Sequence, residues 1–311
     1  MMGNPVGRLS VGFYALAVAL AGCGALQSQT TPPLPTAMSD AGARDGDLLY
    51  VSVGNTVREY SLPQAELKQT LTGLSTPEGL CSDAVGNVFI PNLGTKQILE
   101  YAHGGASPIQ TLKARGYPYD CAVDPTTGDL AVVDIDGPHG VRGNIAVYKN
   151  ASGSPKIYNV RGWRYATSCA YDREGNLVAI GFTQSFFTKI AELLKGESSF
   201  NEVTLNRHTT SVYWIQSFGG AFTVYAAPLA GIYRLRISGS KGVLDGPAPL
   251  RKASRISEYA FSKRELVGIV YDFPPKKGVV RFWPYPVGGE PAKTIPNLRN
   301  PDGITVSLEP R

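Results

Sequence analysis

The stretch PEGLCSDAVGNVFI, residues 77–90, decides the fold. It places a short apolar run before Asp83, a Gly-Asn pair after it, and a second apolar run behind that pair. Gly and Asn tolerate the positive φ of a tight turn, so the stretch predicts a β-hairpin. The pattern recurs in PYDCAVDPTTGDLAV, residues 118–132, and in TSCAYDREGNLVA, residues 167–179. The chain therefore repeats one hairpin at a period of about 40 to 48 residues.

A third strand with an apolar-x-x-aromatic pattern follows the hairpins, as in ILEY at 98–101, IAVY at 145–148 and VVRF at 279–282. A Gly/Pro-rich turn and a β-branched residue come next, which makes four strands per unit. Such a unit, repeated at this period, is typical of a β-propeller blade. We expect one recurring aromatic position to serve packing between blades: Tyr60, Tyr101, Tyr148 and Phe282.

Two elements of this repeat carry a family resemblance. The strand-loop-strand element VFIPNLGTKQI, residues 88–98, and the Pro-x-Gly-apolar start at 77–80 resemble the NHL-repeat β-propellers. The resemblance covers most of residues 47–311 and implies an all-β ring of four-stranded blades. A two-sheet β-sandwich is the alternative, although sandwiches do not show a repeat of about 40 residues.

The two ends of the domain complement each other. Strands predicted at 48–53, 56–62 and 67–71 have no hairpin start before them, whereas NPDGITVS at 300–307 is a hairpin start with nothing after it. We expect the C-terminal strand to complete the N-terminal blade, which removes two exposed sheet edges. Interior blades are predicted to begin near five positions, so that the ring has six blades: 77, 118, 166, 210 and 256.

Composition agrees with an all-β domain. The 35 Gly and 23 Pro among 311 residues exclude a helical bundle or a coiled coil, because both residues interrupt helices. The formal net charge is +5, and no run of Lys and Arg concentrates it. That distribution excludes a dedicated nucleic-acid binder. We expect a monomer.

The first residues predict export. Arg8 precedes the apolar run VGFYALAVALA at 11–21, which is too short to span a bilayer but fits the core of a signal peptide. The sequence LAGC at 20–23 is similar to the lipobox of bacterial lipoproteins. This resemblance implies cleavage before Cys23 and acylation of its thiol, which would hold the protein at a membrane. An ordinary secretory signal with a chance cysteine is the alternative.

The domain organisation follows from this interpretation. Residues 1–22 are predicted to be a lipoprotein signal peptide, residues 23–46 a flexible tether rich in Gln, Thr, Pro, Ser and Gly, and residues 47–311 the propeller. The predicted location is the bacterial cell envelope, at the outer membrane or the cell surface. Gly24, directly after the lipidated cysteine, resembles the residue that favours outer-membrane sorting.

Polar side chains are predicted on one face of the ring. Loops that enter the innermost strands and loops that join second to third strands share a face, because strands alternate in direction. This face should collect three side chains from inner loops and four from outer loops: Glu78, Asp120 and Asp302, then Asn92, Asp134, Asp136 and His139. Three carboxylates near a channel predict a hard divalent cation such as calcium, bound by Glu78, Asp120 and Asp302. The alternative is a set of Asp and Asn residues that cap turns.

Part of this set resembles a known enzyme site. Glu78, Asn92 and Asp302 are similar to metal ligands of gluconolactonase-type propeller hydrolases, although the second Asn of that pattern has no clear counterpart here. The resemblance implies a metal-dependent lactonase in the channel mouth. Motifs of serine hydrolases, zinc proteases and phosphate-binding loops are absent from the sequence.

Four further residues receive structural or ligand-binding interpretations. Cys81, Cys121 and Cys169 fall on predicted innermost strands, with Cys81 offset by one residue from the register of the other two. A one-residue offset reverses side-chain direction in a strand. Export to an oxidising space permits a disulfide that leaves at least one thiol free, but we favour the alternative, in which all three are small core residues. Trp163, in the loop RGWR, is the aromatic residue expected to be free for a ligand.

Two functional hypotheses of different classes result. The first is a lipid-anchored propeller that binds a protein, peptide or glycan at the cell envelope without catalysis. The second is the metal-dependent hydrolase. Propellers host both activities, so the fold cannot choose between them.

Overall fold

The computed structural model describes residues 46–136, 142–206, 211–227, 231–272 and 277–310. Cys23 and His139 therefore lie outside the described residues. Strands are nearly the only regular structure in the described ranges. Within those ranges, no helix has the length and apolar character needed to cross a membrane.

The strands form five sheets. The first contains β1 (Leu48–Val53), β2 (Thr56–Ser61), β3 (Leu67–Leu71) and β24 (Pro301–Ser307), in the order β24-β1-β2-β3. The second contains β4 (Cys81–Ser82), β5 (Val88–Asn92), β6 (Gln97–Tyr101) and β7 (Pro108–Lys113). The third contains β8 (Pro118–Val123), β9 (Leu130–Asp136), β10 (Arg142–Tyr148) and β11 (Lys156–Tyr158). Another contains β20 (Ile256–Ser262), β21 (Glu265–Asp272), β22 (Lys277–Pro284) and β23 (Lys293–Arg299).

The remaining sheet has eight strands. They are β12 (Tyr165–Tyr171), β13 (Leu177–Phe182), β14 (Thr188–Leu193), β15 (Asn201–Leu205), β16 (Ser211–Phe218), β17 (Ala221–Ala227), β18 (Gly231–Ser238) and β19 (Lys241–Ala248). Two antiparallel sets of four are joined by parallel pairing of β15 with β19. The sequence analysis did not predict this junction. Gly242 permits the close approach of the two strands, because a Cβ there would lie 2.9 Å from side-chain atoms of Leu205 and Val203.

The C-terminal strand completes the N-terminal sheet, as predicted. β24 pairs antiparallel with β1, from Ser307 opposite Leu48 to Ile304 opposite Val51. Ile304 is fully buried, in one core with Val267 and Val280 of the last sheet. The seam is therefore closed by both hydrogen bonds and packing.

Six strands, one at the inner edge of each set of four, line a central cavity of about 180 Å³. We call β4, β8, β12, β16, β20 and β24 the inner strands. Four aromatic side chains at the recurring third-strand position are buried, which confirms their packing role: Tyr60, Tyr101, Tyr148 and Phe282. Sheets arranged around a common cavity exclude the two-sheet sandwich.

The hairpin turns have the predicted chemistry. Asp83 Oδ1 accepts the amides of Val85 and Asn87 at 3.0 and 2.8 Å, and Gly86 has φ +88°. Asp172, two hairpins later, repeats this arrangement, since its Oδ1 accepts the amides of Glu174 and Asn176. In the hairpin between them the carboxylate of Asp124 accepts the amide of Thr126 and the hydroxyls of Thr126 and Thr127. In all three hairpins an Asp carboxylate therefore binds the amide two residues ahead.

The cysteine interpretation was wrong for two of the three residues. Cys81 and Cys121 form a disulfide between β4 and β8, with their Cα atoms 5.5 Å apart, whereas Cys169 is a buried free thiol. The one-residue offset, which counted against a disulfide, is what permits it. Side chains that meet between two neighbouring sheets of a ring must point in opposite directions along the ring. Cys169 shares the direction of Cys121, so these two do not face each other.

Candidate functional site at the channel mouth

Four inner strands begin with a local irregularity, which places one particular side chain of each at the same end of the ring. Register shifts occur at the start of β8, β12, β16 and β20, and each shift precedes one residue: Asp120, Ser168, Trp214 and Glu258. A bulge of this kind bends a strand and redirects a side chain. In β24 the equivalent position is Gly303, and before β4 it is Gly79. We call this end of the cavity the channel mouth.

The polar side chains at this position connect neighbouring inner strands. Asp120 Oδ2 accepts the amide of Cys169 at 3.2 Å, and Ser168 Oγ accepts the amide of Ile215 at 3.2 Å. Glu258 Oε1 accepts the amide of Ile304 at 3.2 Å in the same manner. Each bond joins one inner strand to the next around the ring, so these residues have a structural role in holding the ring together.

The two glycines allow close approach at the mouth. A Cβ on Gly79 would lie 2.7 Å from Asp120 Oδ1, and a Cβ on Gly303 would overlap the carbonyl oxygen of Glu78. The Pro-x-Gly motif that marked the repeat is therefore explained by backbone contact between neighbouring sheets.

Four carboxyl groups converge here, of which the sequence analysis identified three. Burial raises the pKa of the Tyr119 phenol, and Glu78, Glu258, Asp302 and Asp120 each raise it further, so all four lie near this ring. Glu258 was missed because ISEYAFS lacks the Pro and Gly that marked other strand starts. Glu258 is identified by its position, because it directly follows the register shift of β20, as Asp120 directly follows that of β8.

These carboxyl groups hold protons more tightly than ordinary acids. Burial raises the pKa of Asp120 and of Glu258, since both are inaccessible to solvent. Burial and then the charge of Asp302 raise the pKa of Glu78 to about 8. Burial also raises the pKa of Asp302, while the hydroxyl of Tyr271 lowers it. The mouth therefore carries less negative charge at neutral pH than its composition indicates.

Asp120, one of the three predicted cation ligands, has no carboxylate oxygen free of hydrogen bonds. The Oδ1 atom of Asp120 accepts the amide of Cys121 at 2.8 Å, and its Oδ2 atom accepts that of Cys169, so both oxygens are engaged. Among the described residues, no three His, Cys, Asp or Glu side chains are grouped as a metal site requires. Because both of its oxygens are engaged, Asp120 is a poor ligand for a hard cation.

The predicted outer-loop residues bind loops. Asn92 Oδ1 accepts the amide of Ser75 at 2.7 Å, and Asp134 Oδ2 accepts the amide of Gly116 at 3.1 Å, at equivalent places before two inner strands. Both therefore hold the loop that enters an inner strand, which agrees with the turn-capping alternative for these two residues.

Asp136 forms a partly buried ion pair, with its Oδ2 atom 3.6 Å from Nη2 of Arg164. This contact joins the third sheet to the start of β12.

Aromatic side chains narrow and surround the mouth. The rings of Tyr119 and Trp214 stack with centroids 5.8 Å apart, although their strands are separated by β12, so they meet across the channel. Tyr165 stacks on Phe186 at 5.6 Å, and Tyr213 packs against Phe182 at 5.7 Å. These contacts lie at the end where β12 begins, since Tyr165 pairs with Phe182.

Two phenylalanines project from this surface. Phe186 and Phe187 are 66% and 68% exposed, in a turn where the amide of Phe186 bonds to the carbonyl of Thr183. Phe186 has φ +60°, which is unusual for a bulky residue and holds its ring on Tyr165. We call Tyr165, Phe186, Phe187 and Tyr213 the aromatic rim.

The expectation for Trp163 was wrong. Its side chain is only 2% exposed and lies against Gly181, where any Cβ would overlap the indole. The amide of Trp163 bonds to the carbonyl of Val160, and this turn directs the ring into the core. Trp163 therefore packs two sheets together and is not available to a ligand.

Comparisons with known proteins support the architecture. No family model and no curated protein matches the chain. A solved nidogen/laminin complex matches with a TM-score of 0.68 and 14% identity, over 86% of this chain and 100% of that one. The β-propeller domain of Cps50 (Swd1) from Myceliophteria thermophila matches with a TM-score of 0.57 and 11% identity, over 85% of this chain and 88% of that one. The chain has a β-propeller fold. TolB from Acinetobacter baumannii matches with a TM-score of 0.61 and 12% identity, over 86% of this chain and 68% of that one. At such identities the likeness concerns the fold alone.

Proposed function

We propose that this propeller is a lipid-anchored binding module of the bacterial cell envelope that does not catalyse a reaction. In this interpretation the ring has six NHL-like blades, and the eight-stranded sheet is two blades joined at their outer strands. The ligand, a protein, peptide or glycan, meets the end of the ring that carries the channel mouth.

The start of the described chain lies at one end of the ring. The carbonyl of Gly46 lies 2.8 Å from Nε2 of His103, and Nδ1 of that ring lies 2.7 Å from Ser307 Oγ, at the last residue of β24. Gly46 is therefore at the end of the ring opposite the mouth.

The aromatic rim carries the proposal of binding. Exposed aromatic rings offer large contact area at low cost in conformational entropy, and they dominate many binding surfaces. Phe186 and Phe187 are the two most exposed aromatic side chains among the described residues, and a hydrogen-bonded turn holds them in place. Such rigid display is typical of a contact surface rather than of a solvated loop.

The hydrolase hypothesis has no comparable support. Asp120 and Glu258, the most buried acids of the mouth, accept backbone amides from neighbouring strands. These hydrogen bonds stabilise the ring, and this structural role accounts for the two buried acids without a catalytic function.

Site-specific photo-crosslinking in cells tests the proposal. A benzophenone side chain at Phe187 should yield adducts, whereas one at Val85 should not. Val85 is a matched control, since it is 59% exposed and lies in the hairpin turn at the opposite end of the ring. Equal adduct yields at both positions, or none at Phe187, would overturn the proposed surface.

A chemical assay separates the hydrolase. Purified full-length protein should hold no stoichiometric calcium and should not accelerate hydrolysis of simple lactones. Lactone hydrolysis that Glu78→Gln abolishes would establish the enzyme instead.

A further inference from the structure

A second cavity lies away from the channel, between the outer strands of the second and third sheets. Its volume is about 720 Å³, and it is lined on one side by Lys113 and Arg115 and on the other by Asn144, Ser154 and Asn159. Cavities of about 300–1,000 Å³ are typical of small-molecule sites. The volume fits one or two sugar rings.

The cavity exists because one outer strand is short. β11 has three residues and pairs only with 145–147 of β10, so that Asn144 lies beyond the last pair. The chain then turns through Val160 to bury Trp163, as described above, and does not extend β11 past Asn144. The space that a longer strand would fill remains open.

The lining has a consistent chemical character. Lys113 and Arg115 supply positive charge, while Asn144, Asn159 and Ser154 supply amide and hydroxyl groups. No Asp or Glu is among the lining residues, although the buried carboxyl group of Asp134 lies near enough to interact with Arg115. Cations beside neutral hydrogen-bonding groups suit a ligand with one oxyanion and several hydroxyls.

Two buried atoms behind the lining remain without hydrogen bonds. Asn144 is 6% exposed, and its Oδ1 atom has no partner in the described residues; the same holds for Oδ1 of the adjacent Asp134. Buried polar atoms normally have partners, so the Oδ1 atom of Asn144, a residue of the lining, is an acceptor that remains available to a hydrogen-bond donor.

From this lining we propose that the cavity binds an acidic sugar, with its carboxylate or phosphate against Lys113 and Arg115 and its hydroxyls against the amides. This site is separate from the aromatic rim, and it does not depend on the function proposed above.

Calorimetry with the full-length protein tests the proposal. Glucuronate and glucose 6-phosphate should bind, each more weakly as salt is raised, and neutral glucose should bind at least tenfold more weakly. Which acid binds more tightly identifies the preferred oxyanion. Equal binding of glucose, or no heat from either acid at millimolar concentration, would overturn the proposal. Binding of inorganic phosphate as tight as that of glucose 6-phosphate would overturn the role of the sugar hydroxyls.

Three variants locate the site. Arg115→Gln should weaken binding of the acidic sugar about tenfold or more, because a charge-assisted hydrogen bond is lost. Ser154→Trp should block the cavity without a change of charge, since Ser154 is exposed in the turn before β11. Lys156→Gln removes one charge outside the cavity and should leave affinity unchanged. Equal losses in Arg115→Gln and Lys156→Gln would show attraction by overall charge and refute the site.

Discussion

Replacement of Asp134 by Asn should stabilise the propeller at neutral and alkaline pH. Asp134 is inaccessible to solvent, its Oδ2 atom accepts the amide of Gly116, and its Oδ1 atom has no partner. An Asn can keep the first bond through its own oxygen, and its NH₂ group replaces the oxygen that is unpaired. The neighbouring sheet already uses Asn92 at the equivalent place, with its oxygen on the amide of Ser75.

The magnitude follows from the pKa. Burial raises the pKa of Asp134 from 3.8 to about 7, against a smaller lowering by Arg115. Because one pKa unit corresponds to about 1.36 kcal/mol, ionisation of this buried group costs roughly 4 kcal/mol above pH 7. The folded state binds the proton more tightly than the unfolded state, so this stability is present below about pH 4 and is lost as pH rises to 7. An unsatisfied NH₂ group in the variant costs about 1–3 kcal/mol. The net gain is therefore about 1–3 kcal/mol above pH 7.

Urea denaturation of wild type and Asp134→Asn between pH 4 and 8 measures the effect. Other acids titrate equally in both proteins, so the difference in unfolding free energy isolates this residue. At pH 4 the wild type should be the more stable protein, or the two should be equally stable. At pH 8 the variant should have the larger unfolding free energy. Asp136→Asn is a control on the same strand, in a partly exposed ion pair with Arg164, and should not stabilise the fold at any pH. A difference for Asp134→Asn that does not vary with pH would refute the reasoning.

Three further predictions concern the anchor, the seam and the disulfide. Cys23→Ser should abolish membrane retention, because the acyl acceptor is lost; unchanged partitioning into detergent would contradict the lipobox interpretation. Deletion of 300–311 removes β24 and should unfold the domain or lower its melting temperature strongly, since burial of Ile304 and similar side chains is worth about 2 kcal/mol each against a total stability of about 5–15 kcal/mol. Deletion of 308–311 alone is its control, and equal melting of both truncations would exclude this closure. The double variant Cys81→Ala/Cys121→Ala should lose about 4 kcal/mol by the loop-entropy model for a separation of 40 residues, and its urea midpoint should not respond to reductant, unlike that of wild type.

Much of the fold could be predicted because local chemistry decides it. Asp83, Asp124 and Asp172 close hairpins with bonds to the amide two positions ahead, so sequence spacing alone specifies the turn. The seam followed from strand counting at the two ends of the domain. These features depend on neighbours along the chain.

Contacts between sheets could not be predicted in the same way. The parallel pairing of β15 with β19 depends on Gly242 meeting side chains about 40 residues away, and no local pattern marks such a partner. The disulfide was misjudged because the direction of a side chain was compared along separate strands, without their placement around a ring. Glu258 was missed because its role depends on a register shift, and the amino-acid types at 256–262 do not predict that shift.

The adjacency of the two ends of the described domain has an engineering consequence. The amide of Glu309 donates a hydrogen bond to Asp47 Oδ1 at 3.0 Å, so the chain leaves the ring close to where it entered. A short linker between these ends would permit circular permutation, with a new start at the exposed turn 239–240 between β18 and β19. Every strand pair would persist in that permuted chain, since only the turn would be cut. The position of the two termini is therefore not fixed by the fold. A chain that begins at a different residue could form the same sheets.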